Sequence, residues 1–525
     1  MAEFDYSIVQ NPAFYAEGTL PPHSDHVPRA PADGFGKTSL RLSLDGMWKF
    51  RCSGNYISAP KGFEQPDFDV SGWEDISVPS NIQFEGYDAP AYVNTQYPWD
   101  GVEDIEPGRI PERFNPVGQY VRTFTLPEDW KNDRVRISFQ GVESGFACWL
   151  NGTYLGYAED SFTPSEFDLT PFLKEGENRI AVLVFKWTSG SWCEDQDMYR
   201  LSGIFRDVYL ERLPKAHLED LKIRSGLADG FRDGLLDVSL RLSGNLTEAA
   251  VDWNLEKIGV VKAFDDLKED GDRTEAGSVS AESGEAAIHL CLKDVLAWSA
   301  ELPNLYRLNL LVRSGEEEVE KVSELVGFRR FEMKDGIMCL NGKRIVFNGV
   351  NRHEFSCDTG RSPRLSDVLH DVKVMKQNNI NAIRTCHYPD ASILYQLCDI
   401  FGLYMIAENN METHGMWDRV ARGQMPLSDA LPGDRKDWEP LLISRIDSMY
   451  ELCKNHPAGL IWACGNESFG GSVIFHIAEE LRRLDRTRLV HYEGIQHDMR
   501  YPDTSDMYSQ MYTPAAGVEK YLREH

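Results

Sequence analysis

The chain has 525 residues, 42% hydrophobic and 26% charged, which calls for several globular domains rather than one core. Its formal net charge of −28 is spread along the sequence and argues against nucleic acid or an anionic membrane surface as partner. No apolar run approaches the roughly 20 residues of a spanning helix, and the N-terminal MAEFDYSIVQNPAFY lacks the grammar of a signal peptide. The ten cysteines form no CxxC pair and are expected as free thiols in a reducing cytoplasm.

In chain order, residues 1–40 include HSDHVPRAPADGFGK, a Pro- and Gly-rich stretch without period, expected to be an extended arm lying across another domain or subunit. Residues 41–214 alternate as short strands (MWKFRC, YVRTFTL, RVRISFQGV, ACWLNGTYLGYA, RIAVLVFKW) between turn residues, the pattern of a β jelly-roll sandwich. The dense aromatic residues there suit either a sugar-stacking surface or core packing. Residues 215–330 alternate again (LLDVSLRLSG, AAIHLCL, LYRLNLLVRSG) and fit one immunoglobulin-like β-sandwich acting as a spacer. Within it, Lys262 to Glu285 is acidic with Gly and Ser and reads as a flexible loop.

From residue 331 to 525 strands and helices alternate, which implies parallel strands with crossover helices and hence a (β/α)8 TIM barrel. The strands are expected at RIVFNGVNRHE, NAIRTCHYP, LYMIAENN, GLIWACGNE, RLVHYEG and SDMYSQMYT, with helices such as SDVLHDVKVMKQNN, ASILYQLCDIFG and WEPLLISRIDSMYELCKN. These are about the first six strands of the eight that close a barrel, so the sequence reads as an N-terminal portion of a longer protein.

Polar residues recur at the strand ends: Asn351, His353 and Glu354; Arg384 and His387; Glu408, Asn410, Glu412 and His414; Asn466 and Glu467. In this fold the C-terminal rim of the strands carries the chemistry. Glu467, flanked by Trp462 and Phe469, fits a general acid of raised pKa in glycoside hydrolysis, or else the cap of the helix that follows. Glu412 and His414 face one side of an extended segment and with Glu467 could hold Mg2+ or Mn2+, or simply hydrogen-bond one another. A second catalytic carboxylate is not evident among Glu408, Glu412 and Glu493.

The motifs YDAPAYVNTQYPW, PSEFDLTPFL, EDQDMYRLSGIFRDV, WSAELPNLYRL, GVNRHE, NAIRTCHYP, ENNMETHGM and NHPAGLIWACGNES, in this order, make the chain resemble the large bacterial β-galactosidases of glycoside hydrolase family 2. The resemblance implies retaining hydrolysis of terminal β-D-galactose from lactose and related β-galactosides by a homo-oligomer. It implies that Glu467 is the acid/base, that Asn466 bonds the sugar 2-hydroxyl, and that Glu412, His414 and Glu467 hold Mg2+. His353 and His387 would contact the galactosyl group, and Tyr512 would sit near the nucleophile. Asn94 and Asp197 would reach from the first sandwich into the barrel mouth, with Asp197 also ligating Na+. The family's nucleophile, in a CEYxHAMGN-like motif, does not occur in this sequence. The alternatives are a catalytically incomplete galactoside-binding or complementing fragment, and another family 2 activity such as β-glucuronidase.

Overall fold

The computed structural model describes residues 3–524 apart from 35, 263–266 and 268–270. The first domain stacks a seven-stranded sheet on a four-stranded one. Val135, Ile137 and Phe139 alternate inward from one sheet to meet Phe146, Val182 and Val184 from the other. The wider sheet is apolar on both faces, which is why RIAVLVF reads as a continuous run rather than an alternation. Its outer face, with Trp149, Leu183 and Phe185, is covered by Phe4, Tyr6, Ile8 and Val9 of the arm. Each such buried side chain contributes about 1.5–3 kcal/mol.

The arm therefore adds structure of its own. It opens with a 3-10 turn at Tyr6–Gln10 and pairs Ala16–Glu17 with the sheet edge. It then crosses all three domains: His23 meets Glu166 of the sandwich, His26 meets the Leu218 carbonyl of the second domain, and Asp25 meets His456 beside the barrel.

The second domain packs a three-stranded sheet on a four-stranded one, the layout of an immunoglobulin-like sandwich. The expected loop between Lys262 and Glu285 is corrected in part. Residues 263–266 and 268–270 lie outside the described residues, but Asp272–Ser280 is a strand paired to Ala249–Val260. That strand is almost wholly exposed, so ladder hydrogen bonds rather than burial define it and its polar composition conceals it.

The third domain carries a five-stranded parallel sheet in sequential order: Gly349–Arg352, Ala382–Thr385, Tyr404–Glu408, Gly459–Ala463 and Leu489–His491. These are the leading strands of a TIM barrel. Helices Leu365–Gln377, Ser392–Phe401, Glu439–Cys453 and Ser472–Leu484 cross between them. The expected sixth strand, SDMYSQMYT, is not one. The Asp506 N–H reaches the Val490 carbonyl, but the Asp506 side chain, not a backbone carbonyl, takes the Val490 N–H, and the ladder ends there. The sheet stays open, and Val350 on its first strand is 37% exposed.

Two contacts set the barrel against its neighbours. Gly402 ends a helix at φ +74°, where a Cβ would come within 2.4 Å of the Ala300 carbonyl oxygen of the second domain. Arg206 of the sandwich is buried against the Glu354 carboxylate and also donates to the Pro389 carbonyl 2.8 Å away.

Candidate active site

The C-terminal ends of the strands converge on one rim, and backbone bonds hold the loops there in register. After Gly459–Ala463 the chain turns at Gly465, φ +142°, where a Cβ would come within 2.6 Å of the Met411 carbonyl oxygen. Only glycine allows that approach. It lets the Asn466 N–H donate to the Met411 carbonyl (2.9 Å) and the Thr413 N–H to the Glu467 carbonyl (3.2 Å). Residues 409–413 and 464–467 thus form one unit.

Glu408 is committed to its neighbours. Its Oε1 accepts from Arg384 Nη2 at 2.9 Å and lies 2.6 Å from His387 Nδ1, and Oε2 accepts from Arg384 Nε. Burial pushes this carboxyl up, but Arg384 and His387 outweigh burial and hold it below the usual range. Arg384 also donates to Asn466 Oδ1 (3.0 Å), which fixes the Asn466 amide so that Nδ2 donates to Glu412 Oε2 (2.9 Å) and Glu467 Oε2 (3.2 Å). His353 stands perpendicular to His387, ring centroids 5.7 Å apart. Its Nδ1 lies 3.1 Å from the Tyr388 hydroxyl. Burial, with help from His387, lowers its pKa to about 3, so it is neutral.

Glu412, His414 and Glu467 each bring a ligand atom within 4.8 Å of the others. His414 Nδ1 lies 3.1 Å from Glu467 Oε2 and 3.7 Å from Glu412 Oε1. The alignment is poor, however: Nδ1 and Glu412 Oε1 are both buried without a hydrogen-bond partner. Burial opposes charge on His414, but the two carboxylates prevail and raise its pKa to about 10. Two orphaned buried atoms in a set of two carboxylates and one imidazole fit a hard divalent cation better than they fit one another. A sodium ion gains no such support, because Asp197 belongs to neither ligand cluster of the described residues and its Oδ1 accepts from the Tyr92 hydroxyl.

The Trp462 part of the apolar surround expected for Glu467 is corrected. The strand Gly459–Ala463 is buried on both faces, and Trp462 points into the helical layer, its Nε1 3.4 Å from Asp485 and its ring 5.8 Å from Tyr450. The Glu467 environment is polar. Burial raises its pKa but His414 wins, and the carboxyl is held below its ordinary value.

The sandwich contributes a two-stranded ribbon in which Ala91–Val93 pairs with Met198–Arg200, Val93 opposite Met198. This register puts Asn94 and Asp197 side by side at one end of the ribbon. Tyr512 is not brought to the cluster: it is 93% exposed in a turn, with φ +55° and no hydrogen bond. The ladder that would have carried it inward stops at Asp506.

Family profiles match in three consecutive stretches from residue 41 onward: the sugar binding domain of glycosyl hydrolases family 2 over residues 41–214, the family 2 domain over 216–329, and the family 2 TIM barrel domain over 331–525. A β-galactosidase large subunit of Lactobacillus acidophilus is 39% identical, over 98% of this chain and 83% of that protein. The chain belongs to glycosyl hydrolases family 2. A β-galactosidase of Halalkalibacterium halodurans is 46% identical over 97% of this chain but 49% of that protein. The chain spans about half the length of several curated relatives that it matches. Among solved structures, a Bacteroides uniformis β-glucuronidase shares the fold at TM-score 0.72 and 19% identity, over 92% of this chain and 57% of that one.

The sandwich is wired to its barrel through the EDQDM segment, Asn410 and Glu412, and through Arg445, whose role the sequence did not reveal. Glu194 and Glu412 form a parallel bridge, with the Glu412 N–H donating to the Cys193 carbonyl (2.9 Å) and the Asp195 N–H to the Glu412 carbonyl (3.1 Å). Gln196 donates to Asn410 Oδ1 (3.1 Å). Beneath them, buried Arg445 donates to Glu194 Oε1 (2.7 Å) and to the Asn410 carbonyl (2.8 Å). The one available signal was an arginine in phase with the apolar face Leu441, Leu442, Met449 and Leu452. Arg445→Met is expected to leave Glu194 buried without its cation at a cost of about 3–5 kcal/mol. Amide hydrogen exchange at 188–197 and 409–416 should then accelerate; unchanged protection there would contradict this wiring.

Proposed function

We propose that the chain is the sugar-binding and acid/base-bearing part of a retaining β-galactosidase that acts on lactose and related β-galactosides. The observation that carries the reading is Glu467 on the barrel rim beside Asn466, Glu412 and His414, in a chain 39–46% identical to proteins named β-galactosidase. Glu467 acts as acid, protonating the departing oxygen, and then as base on the incoming water. In the free site it is ionised, the form suited to the base half. Sugar binding displaces water from the mouth, strengthens the desolvation of the carboxyl and favours its protonated form. Asn466 bonds the 2-hydroxyl, His353 and His387 hold the galactosyl group, and Asn94 with Asp197 borders the mouth.

Glu408 is clamped by Arg384 and His387 and does not attack; in this reading the nucleophile is supplied by further chain or by a complementing subunit. Three relatives carry the name large subunit, which agrees with the second arrangement. Glu412, His414 and Glu467 hold Mg2+, which when bound supplies positive charge beside the acid/base. A cytoplasmic location agrees with ten free cysteines and with the lack, among the described residues, of a helix long and apolar enough to cross a membrane.

With the complete protein, nitrophenyl galactoside should exceed the glucuronide and mannoside in kcat/KM by at least about 100-fold, and residues 1–525 alone should be nearly inactive. Preference for either competitor, or activity of the pure fragment abolished by Glu467→Gln, would overturn the assignment. For the metal, Glu412→Gln should weaken Mg2+ binding in a calorimetric titration by at least about tenfold; unchanged affinity would remove Glu412 from the ligand set.

A further inference from the structure

Between the first and second barrel strands the rim carries a donor set that sugar contacts do not exhaust. His353, Cys386 and His387 each offer one ligand atom within 4.8 Å of the other two. Each imidazole is steered from behind through Nδ1, His353 by the Tyr388 hydroxyl at 3.1 Å and His387 by Glu408 Oε1 at 2.6 Å. Nε2 has no hydrogen-bond partner on either ring among the described residues. A hydroxyl or carboxylate behind the ring is the arrangement that orients histidine ligands in metal sites. Tyr388 is itself fixed, stacked on Phe162 with centroids 3.9 Å apart at 9°. Cys386 is 1% exposed, and its thiol makes no hydrogen bond among the described residues.

We propose that His353, Cys386 and His387 bind one thiophilic divalent cation, Zn2+ or Co2+, at a site distinct from the oxygen-rich cluster of Glu412, His414 and Glu467. One sulfur and two imidazole nitrogens select a borderline-soft ion over Mg2+, and three protein ligands leave the fourth tetrahedral position to water. Binding forms a metal–sulfur bond as the Cys386 thiol releases its proton to solvent. The consequence for catalysis rests on the galactosidase reading: an ion held on Nε2 of both histidines excludes the sugar and inhibits competitively.

The test is a Co2+ titration of the 525-residue chain in excess Mg2+, with Cys291→Ser and Cys357→Ser removing the two exposed thiols. A near-ultraviolet thiolate-to-cobalt band should saturate at about one equivalent, and Zn2+ should displace it. Cys386→Ser should abolish the band, and Tyr388→Phe should weaken affinity by about 10–100-fold. Absence of the band, or its persistence in Cys386→Ser, overturns the proposal. Should Cys386→Ser not fold, His353→Gln keeps the thiol and must weaken Co2+ binding at least about tenfold; unchanged affinity overturns the site equally. In the complete protein, Zn2+ inhibition relieved by Cys386→Ser supports the site, whereas cobalt binding without inhibition faults the sugar-contact reading and leaves the metal site standing.

Discussion

The site depends on a cation buried where two domains meet. Arg445, on a barrel helix, holds Glu194 from the sandwich and the Asn410 carbonyl from the barrel in one grip. A buried guanidinium bonded to both domains ties two cores together, while either partner alone would leave a charge stranded. From this point the chain leaves the 3-10 turn Ser189–Cys193 and meets the barrel through one parallel bridge, Glu194 to Glu412, and the ribbon carrying Asn94 and Asp197 projects beyond it. The sandwich is thereby a wall of the barrel mouth.

Above that junction the chemistry is a matter of charge balance. Four carboxylates, Glu408, Glu412, Glu467 and Glu493, crowd the rim against Arg384, His387 and His414. Arg384 neutralises Glu408, which His387 also approaches through Nδ1, and His414 is raised to about 10 by Glu412 and Glu467. Glu493 has no partner on either oxygen among the described residues, and burial raises its pKa to about 8, so it is held neutral. A proton on His414 and a divalent ion among the same three side chains are alternative ways of satisfying one cluster.

Much of this architecture was legible in the sequence because strands and helices have different periods, and because barrel chemistry gathers at strand ends. His353, Arg384, His387, Glu408, Asn466 and Glu467 all fall on that rim. The failures have physical reasons. Asp272–Ser280 is exposed on nearly every residue, so no burial pattern marks it. A fully buried strand has no outward face to fix its phase, which hid the direction of Trp462. The sixth strand was lost to a side-chain hydrogen bond from Asp506, and Tyr512 with it. The domain junction was least visible, since Gln196, Glu194 and Arg445 acquire meaning only when distant segments meet.

The account turns on Glu467 as proton donor to the leaving group, and leaving-group dependence in the complete protein reads that role directly. An acid matters for a poor leaving group such as the glucose of lactose and little for dinitrophenolate, which departs unprotonated. Glu467→Ala should therefore slow cleavage of the galactosyl bond in lactose by about 10²–10⁴-fold and leave the dinitrophenol burst from dinitrophenyl galactoside nearly intact. Equal loss on both substrates would contradict the assignment.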